Sequence, residues 1–411
     1  MRTRSALFAA CVLLSACAAK TGQPAAVPQP ALASPLIVEQ AHESWVHPFN
    51  TRASVIAVAS DGAIWVNEDL NFKVARFNLD GTYVEFPVPE QGPFVVTRDA
   101  IGGVHGSMYF AVNFGSHYGI LRVLRSGSVK VFRTPRTPTG LGKGPDGTIW
   151  ATLPNGHVVH LLSDGTFVSY ALPTPPGLPY GITTGSDGNI WFSVHDQHML
   201  DRLDPTTGVI TEYPTQDCGP LSTLSVPRGN LWLSCDDGSI VEYTTQGTNV
   251  ATCIACSVFS GYSHQLAYEP SNGRIWATVN NVGIVGLDPA TGNYDEHKDP
   301  LQGGQTEIAA APDGNIWLAE QGSPWISIFV RRRISTVPQS VTVSSGGSQT
   351  ITVTEAHYHA SWSATSSNTA CATVTANGPN TFLVTGVGTG SCTVTVNDTK
   401  SNSLGVPVTV R

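Results

Sequence analysis

Charge is scarce in this chain. Of 411 residues only 13% are Asp, Glu, Lys or Arg, and 22 basic residues face 30 acidic ones. A formal net charge of −8 without a basic stripe excludes a nucleic-acid surface, which needs clustered Lys and Arg. The one basic cluster, Arg331-Arg332-Arg333, sits between two regions of different texture and reads as a solvated junction. Long apolar runs are also missing. The stretch from Ala6 to Leu14 is too short for a stable membrane-spanning helix. No long helical pattern appears, and neither a Gly-x-Ser-x-Gly elbow nor a phosphate-binding loop is present. Glycine and proline, by contrast, are plentiful at 41 and 28 residues, as expected of an all-β chain with many turns.

One phrase repeats seven times: Ile64-Trp65-Val66, Met108-Tyr109-Phe110, Ile149-Trp150-Ala151, Ile190-Trp191-Phe192, Leu231-Trp232-Leu233, Ile275-Trp276-Ala277 and Ile316-Trp317-Leu318. Turns such as Asp61-Gly62, Asp146-Gly147, Asp187-Gly188 and Asp313-Gly314 precede most copies. The aromatics stand 44, 41, 41, 41, 44 and 41 residues apart. That period, with strand-and-turn content, predicts a seven-bladed β-propeller over residues 46–335. Blade 4 reads as strands Gly181-Ile182-Thr183, Asn189 to Val194, Met199 to Asp204 and Val209 to Tyr213. Period-two alternation puts the Ile and Trp residues between neighbouring blades. The seven aromatics are therefore read as packing residues rather than a ligand-stacking set. Either the segment near Leu36-Ile37-Val38 or Ile334 to Val337 is available to complete the ring.

From residue 338 to 411 the chain turns rich in Thr, Ser and Val with short alternating runs, such as Val341-Thr342-Val343 and Thr350-Ile351-Thr352-Val353. This texture resembles a bacterial Ig-like β-sandwich, with Cys371 and Cys392 as its internal disulfide. At the other end, Arg2 and Arg4 precede the apolar run, which closes on Leu14-Ser15-Ala16-Cys17. The pattern resembles a lipoprotein signal peptide over residues 1–17, with Cys17 as the lipidated residue. Residues 18–45 then read as a flexible tether. Ala18 after the cysteine implies outer-membrane sorting in a Gram-negative cell. The partners expected are the membrane, through this anchor, and a small-molecule, peptide, glycan or protein ligand.

The remaining even set of cysteines in an exported chain suggests disulfides. Cys218, Cys235, Cys253 and Cys256 fall on one face near blades 5 and 6, where two bonds would pin the loop from about Gly247 to His264. A four-thiolate zinc site and a Cys253-x-x-Cys256 redox pair are the alternatives. His195 with His198, and His357 with His359, are read as loop and strand residues rather than metal pairs.

In a four-stranded blade the second strand ends on the face where the first begins. That face collects Glu68, Asp69, Asn113, His195, Asp236, Asn280 and Glu320 from second strands. From the inner strands it collects Arg98, Tyr180, Gln265 and the neighbouring His264. The central mouth of this face is the expected binding site. No catalytic set stands out; His264, His195, Glu68 and Glu320 are the candidates.

The repeat in Pro179-Tyr180-Gly181-Ile182, Asp187-Gly188-Asn189-Ile190-Trp191-Phe192 and Ile210-Thr211-Glu212-Tyr213-Pro214 resembles the streptogramin lyase (virginiamycin B lyase) family. The resemblance implies a seven-bladed propeller that opens a cyclic depsipeptide by elimination at its ester, with Mg2+ bound. A related expectation is a lactonase-type activity on a cyclic ester. The glutamate typical of the family's second strand survives at Glu68 and Glu320. Its catalytic histidines stand eleven residues before the aromatic. Here those positions hold Ser54, Arg98, Thr139, Tyr180, Leu221, Gln265 and Thr306, none of them histidine.

Overall fold

The computed structural model describes residues 44–48, 53–68, 72–79, 81–88, 95–216, 218–227, 229–254, 263–279, 283–298, 304–321, 325–329, 335–354, 361–397 and 403–411. Seven four-stranded antiparallel sheets follow one another along the chain, one per repeat. Blade 4 is typical, with strands Pro179–Thr184, Ile190–Val194, Met199–Leu203 and Ile210–Pro214 from the axis outward.

The repeated Asp-Gly turn has a local cause. Gly62, Gly147, Gly188 and Gly314 all take φ between +79° and +86°, where a side chain is strained. The aspartate before each accepts the backbone N–H two residues on: Ala63 at 3.2 Å, Thr148 at 3.1 Å, Asn189 at 3.1 Å and Asn315 at 3.0 Å. This Asx geometry closes the hairpin between the two inner strands.

The repeated aromatics are the glue between blades. Trp65, Trp150, Trp191, Trp232, Trp276 and Trp317 are the largest fully buried side chains. Each packs into the next blade. Trp65 lies against Met108, Phe110 and Val112, and Trp150 against Ile190 and Phe192. Trp317 lies against Ile64 and Val66 of blade 1, which completes the circle. Full burial of an indole is worth several kcal/mol, so this seam repeats the dominant stabilising term around the ring.

The ring is closed by the strand Ser44–Pro48. It pairs antiparallel with Trp325–Phe329 as the outer strand of blade 7, after Gly304–Ala310 and Ile316–Gln321. Neither expected segment serves. Leu36-Ile37-Val38 lies outside the described residues. Ser335–Val337 instead pairs with Ser348–Thr354 in the sandwich, so the sandwich takes in residues before 338. The first propeller strand also begins at Ser44, inside the stretch expected to be tether.

The C-terminal sandwich has two four-stranded sheets. One orders Ser335–Val337, Ser348–Thr354, Thr381–Gly386 and Ala372–Ala376. The other orders Val341–Val343, Ser403–Val410, Gly390–Asn397 and Ser363–Ser366. Its core is Ile351, Phe382, Val384, Val394, Val396, Val406 and Val408, the inward-facing half of the alternating Thr/Val runs. Cys371 and Cys392 are bonded, as expected.

Candidate functional site at the propeller mouth

The inner strands surround a central cavity of about 350 Å³. Asp99 of blade 2, Thr139 of blade 3, Tyr180 of blade 4, Leu221 of blade 5, Gln265 of blade 6 and Glu307 of blade 7 all line it. Small residues let these strands crowd the axis. A Cβ on Gly181 would stand 2.5 Å from the Thr223 nitrogen. Hydroxyls bridge the crowded strands: Thr139 Oγ1 donates to the Pro179 carbonyl and Thr152 Oγ1 to the Tyr180 carbonyl, both at 2.6 Å. A second hollow of about 540 Å³ opens where the inner strands end, between residues such as Val58, Tyr268, Pro270 and Pro312. It shares Ala100, Ile101, Gln265 and Leu266 with the first.

Asp99 and Glu307 were not among the sequence candidates. Both follow directly on a position that the eleven-residue count selects, Arg98 and Thr306. In blade 2 the register slips between Val96 and Ala100, which inserts extra residues opposite the second strand. The bulge turns Asp99 to the axis. Its carboxylate accepts the Leu141 N–H of blade 3 at 2.7 Å. Burial pushes this carboxyl up to about 7, against the lowering effect of the Leu141 and Ala100 N–H groups.

At the rim, blades 4 and 5 meet through side chains that the strand directions did predict. His195 opens a 3₁₀ turn directly after Ile190–Val194, and Asp236 follows Leu231–Cys235. His195 Nε2 stands 3.4 Å from Asp236 Oδ2, with both side chains about one-third exposed. The Tyr180 ring meets the imidazole edge-on at 5.6 Å. Asp236 Oδ1 accepts the Gly219 N–H at 3.2 Å, and the Asp236 N–H donates to the Gly219 carbonyl at 3.0 Å. A Cβ on Gly219 would lie 2.5 Å from the carboxylate, so only glycine admits it.

The residues immediately before these two, Cys218 and Cys235, form a buried disulfide. The bond clamps the start of one strand of blade 5 to the end of the next. It does not pin the loop from Gly247 to His264, which corrects that expectation. The Cys253 side chain and Cys256 lie outside the described residues. A four-thiolate site is excluded with Cys218 and Cys235 bonded to each other. Cys218→Ser with Cys235→Ser is expected to cost about 3 kcal/mol in urea unfolding, for a loop of 17 residues. A loss under about 1 kcal/mol would mean that the strand ladder alone holds this corner.

Other candidates fall elsewhere. Glu68 is fully buried at the end of its strand, opposite Lys73, and is not on the mouth surface. Asn113 is spent on an Asx turn to the Gly115 N–H at 2.7 Å. Gln265 lines the cavity beside a register slip in Ser263–Glu269. His198 is an exposed loop residue whose Nδ1 faces the Gln216 carbonyl at 3.2 Å. The side chains of Arg98, His264 and Glu320, and the residues Asp69, Asn280, His357 and His359, lie outside the described residues. Among the described residues no group of three or more His, Cys, Asp or Glu could hold a metal ion.

The profile of the virginiamycin B lyase family matches residues 39–321. The chain belongs to the virginiamycin B lyase family. A bacterial Ig-like domain of group 2 matches residues 332–410. Among solved structures, a streptogramin B lyase is 23% identical, with a TM-score of 0.59 over 69% of this chain and 97% of that one. A virginiamycin B lyase from Staphylococcus aureus, a catalytically inactive form with quinupristin, is 24% identical with a TM-score of 0.58. It covers 70% of this chain and 98% of that one. At these identities the likeness is one of fold. A search of curated proteins finds no match. In this member of the virginiamycin B lyase family, none of the seven positions eleven residues before the repeated aromatics, Tyr180 and Gln265 among them, is a histidine.

Proposed function

We propose that the chain is a cell-envelope lipoprotein whose propeller mouth binds a small polar ligand. The observation that carries this reading is the axial cavity, walled by six blades and furnished with Asp99, Tyr180, Gln265 and Glu307. Its size suits a small molecule or one or two residues of a peptide or glycan. The His195–Asp236 pair at the rim supplies further polar contact. Export through the lipobox-like segment and retention through Cys17 agree with the disulfides Cys218–Cys235 and Cys371–Cys392, which belong to an oxidising compartment. Among the described residues no helix is long and apolar enough to cross a membrane, so the anchor in this reading is the lipid.

The test is ligand-dependent melting of the chain lacking residues 1–17. The probes are muropeptides, cyclic depsipeptides, lactones and Mg2+. Specific binding at a hundred times Kd stabilises by about 2.7 kcal/mol. The shift is expected to vanish in Tyr180→Ala with Gln265→Ala. A shift that survives this change places the site elsewhere. Turnover of a cyclic ester with Mg2+ would favour the alternative, a magnesium-dependent lyase or lactonase-type enzyme.

A further inference from the structure

Blade 4 carries a carboxyl where the other blades carry none. On the third strand of each blade, the residue paired with the one after the repeated aromatic is Ala75, Leu121, Val159, Asp201, Val241, Val285 and Ser327 in turn. Asp201 is fully buried, and neither of its oxygens has a hydrogen-bond partner. Its cross-strand neighbours are Phe192 and Glu212, and directly opposite residues share a face. That face is the seam with blade 3, where Trp150, Val158, Leu172 and Leu203 pack. The only charged or titratable groups turned to it among the described residues are Glu212 on the outer strand and, across the seam, Tyr170 and His160, both stacked on Trp150. Arg202 points the other way, over Trp191 and Tyr213. Among the described residues no cation offsets Asp201.

Glu212 has a second task. It accepts the Thr174 N–H at 3.1 Å and the Thr174 hydroxyl at 3.0 Å. Thr174 lies in the linker from blade 3 to blade 4. The same linker is held by Gln197, whose amide donates to the Thr174 and Pro176 carbonyls at 2.8 Å. Asp196 accepts the Leu178 N–H at 2.8 Å, and the His195 N–H donates to the Leu178 carbonyl at 3.1 Å. The linker then runs straight into Pro179 and Tyr180 at the cavity.

We propose that Asp201 is a proton-controlled latch on this linker: with its proton on, Glu212 clasps Thr174, and when the proton leaves, repulsion between the two carboxylates opens the clasp and loosens the linker at Thr174. Burial, with Glu212 adding to it, pushes Asp201 up to about 8, so the latch is closed at neutral pH and opens on the alkaline side. The latch stands on blade 4 geometry alone. Its control of Tyr180 and the rim His195, and so of ligand affinity, rests on the mouth being the binding site.

Hydrogen–deuterium exchange of the full chain from pH 6 to 9.5, corrected with an unfolded peptide of the same sequence, tests the latch directly. With the Leu178 N–H, held by Asp196, as the reference, the readout is protection at the Thr174 N–H. It is expected to fall about tenfold across the alkaline range in the native chain and to stay level in Asp201→Asn. Asp201→Val, which copies blades 3, 5 and 6, provides a second level trace if the amide variant folds poorly. Equal pH slopes in the native chain and both variants overturn the latch. Muropeptide or depsipeptide affinity measured over the same pH range separates the two claims. An exchange step with a flat affinity profile leaves the latch standing and removes the mouth as the site it controls.

Discussion

A chain that begins at residue 49 is expected to lose the cooperative unfolding of the propeller. Without Ser44–Pro48, blade 7 keeps three strands and Trp325–Phe329 becomes a bare edge. Ile326 and Ile328, now buried, would lie beside that edge. The lost five-residue ladder is worth on the order of 5 kcal/mol, most of the margin of an ordinary domain. The open edge also templates association with a second chain. Calorimetry should show a broad, early transition, and light scattering should show oligomers. Supplying residues 36–50 as a synthetic peptide should restore part of the melting temperature. A truncated chain that melts like the full one would show that the ring holds without its closing strand.

The second large effect concerns Asp99. Its pKa lies near 7 in the fold against 3.8 when exposed. Between these values the folded chain holds a proton that the unfolded chain has released. Stability therefore falls as pH rises from about 4 to about 7, and the loss is complete above that. Below pH 4 both states are protonated and the group contributes nothing. Asp99→Asn keeps an oxygen for the Leu141 N–H and removes the titration. It should be more stable than the parent by up to about 4 kcal/mol at pH 8 and equal to it at pH 3.5. Urea unfolding at the two pH values gives the comparison. A difference that is the same at both would mean that the carboxyl titrates alike in the folded and unfolded chain.

The blades were legible because each writes the same local physics into the chain: an Asp-Gly turn, then an indole that must be buried by the next repeat. The closing strand was not, because Ser44 to Pro48 has neither turn nor repeat. Its pairing is a matter of backbone ladder, which any extended segment can supply. At the mouth, strand direction was enough to bring Tyr180, His195 and Asp236 together. It failed for Asp99 because a bulge inserts residues that a fixed count passes over, so the count falls on Arg98. Even cysteine number pointed to disulfides, but which of Cys218, Cys235, Cys253 and Cys256 join depends on how two adjacent strands align. Asp201 is visible in the repeat itself. Aligned with the third strands of the other blades, it stands where Ala75, Leu121, Val159, Val241, Val285 and Ser327 stand.

The way the ring closes also sets how the propeller bears a load. The chain enters blade 7 at Ser44 and leaves it at Phe329, and these two residues are partners at one end of the same antiparallel ladder. A pull between the segments before and after them strains a single rung first, then Trp45 with Ile328, then Val46 with Ser327. Rungs loaded one at a time part like a zip rather than resisting together in shear. Under tension between its two ends, this propeller has its mechanical fuse in blade 7, while the rim pair of His195 and Asp236 on blades 4 and 5 lies outside the loaded ladder.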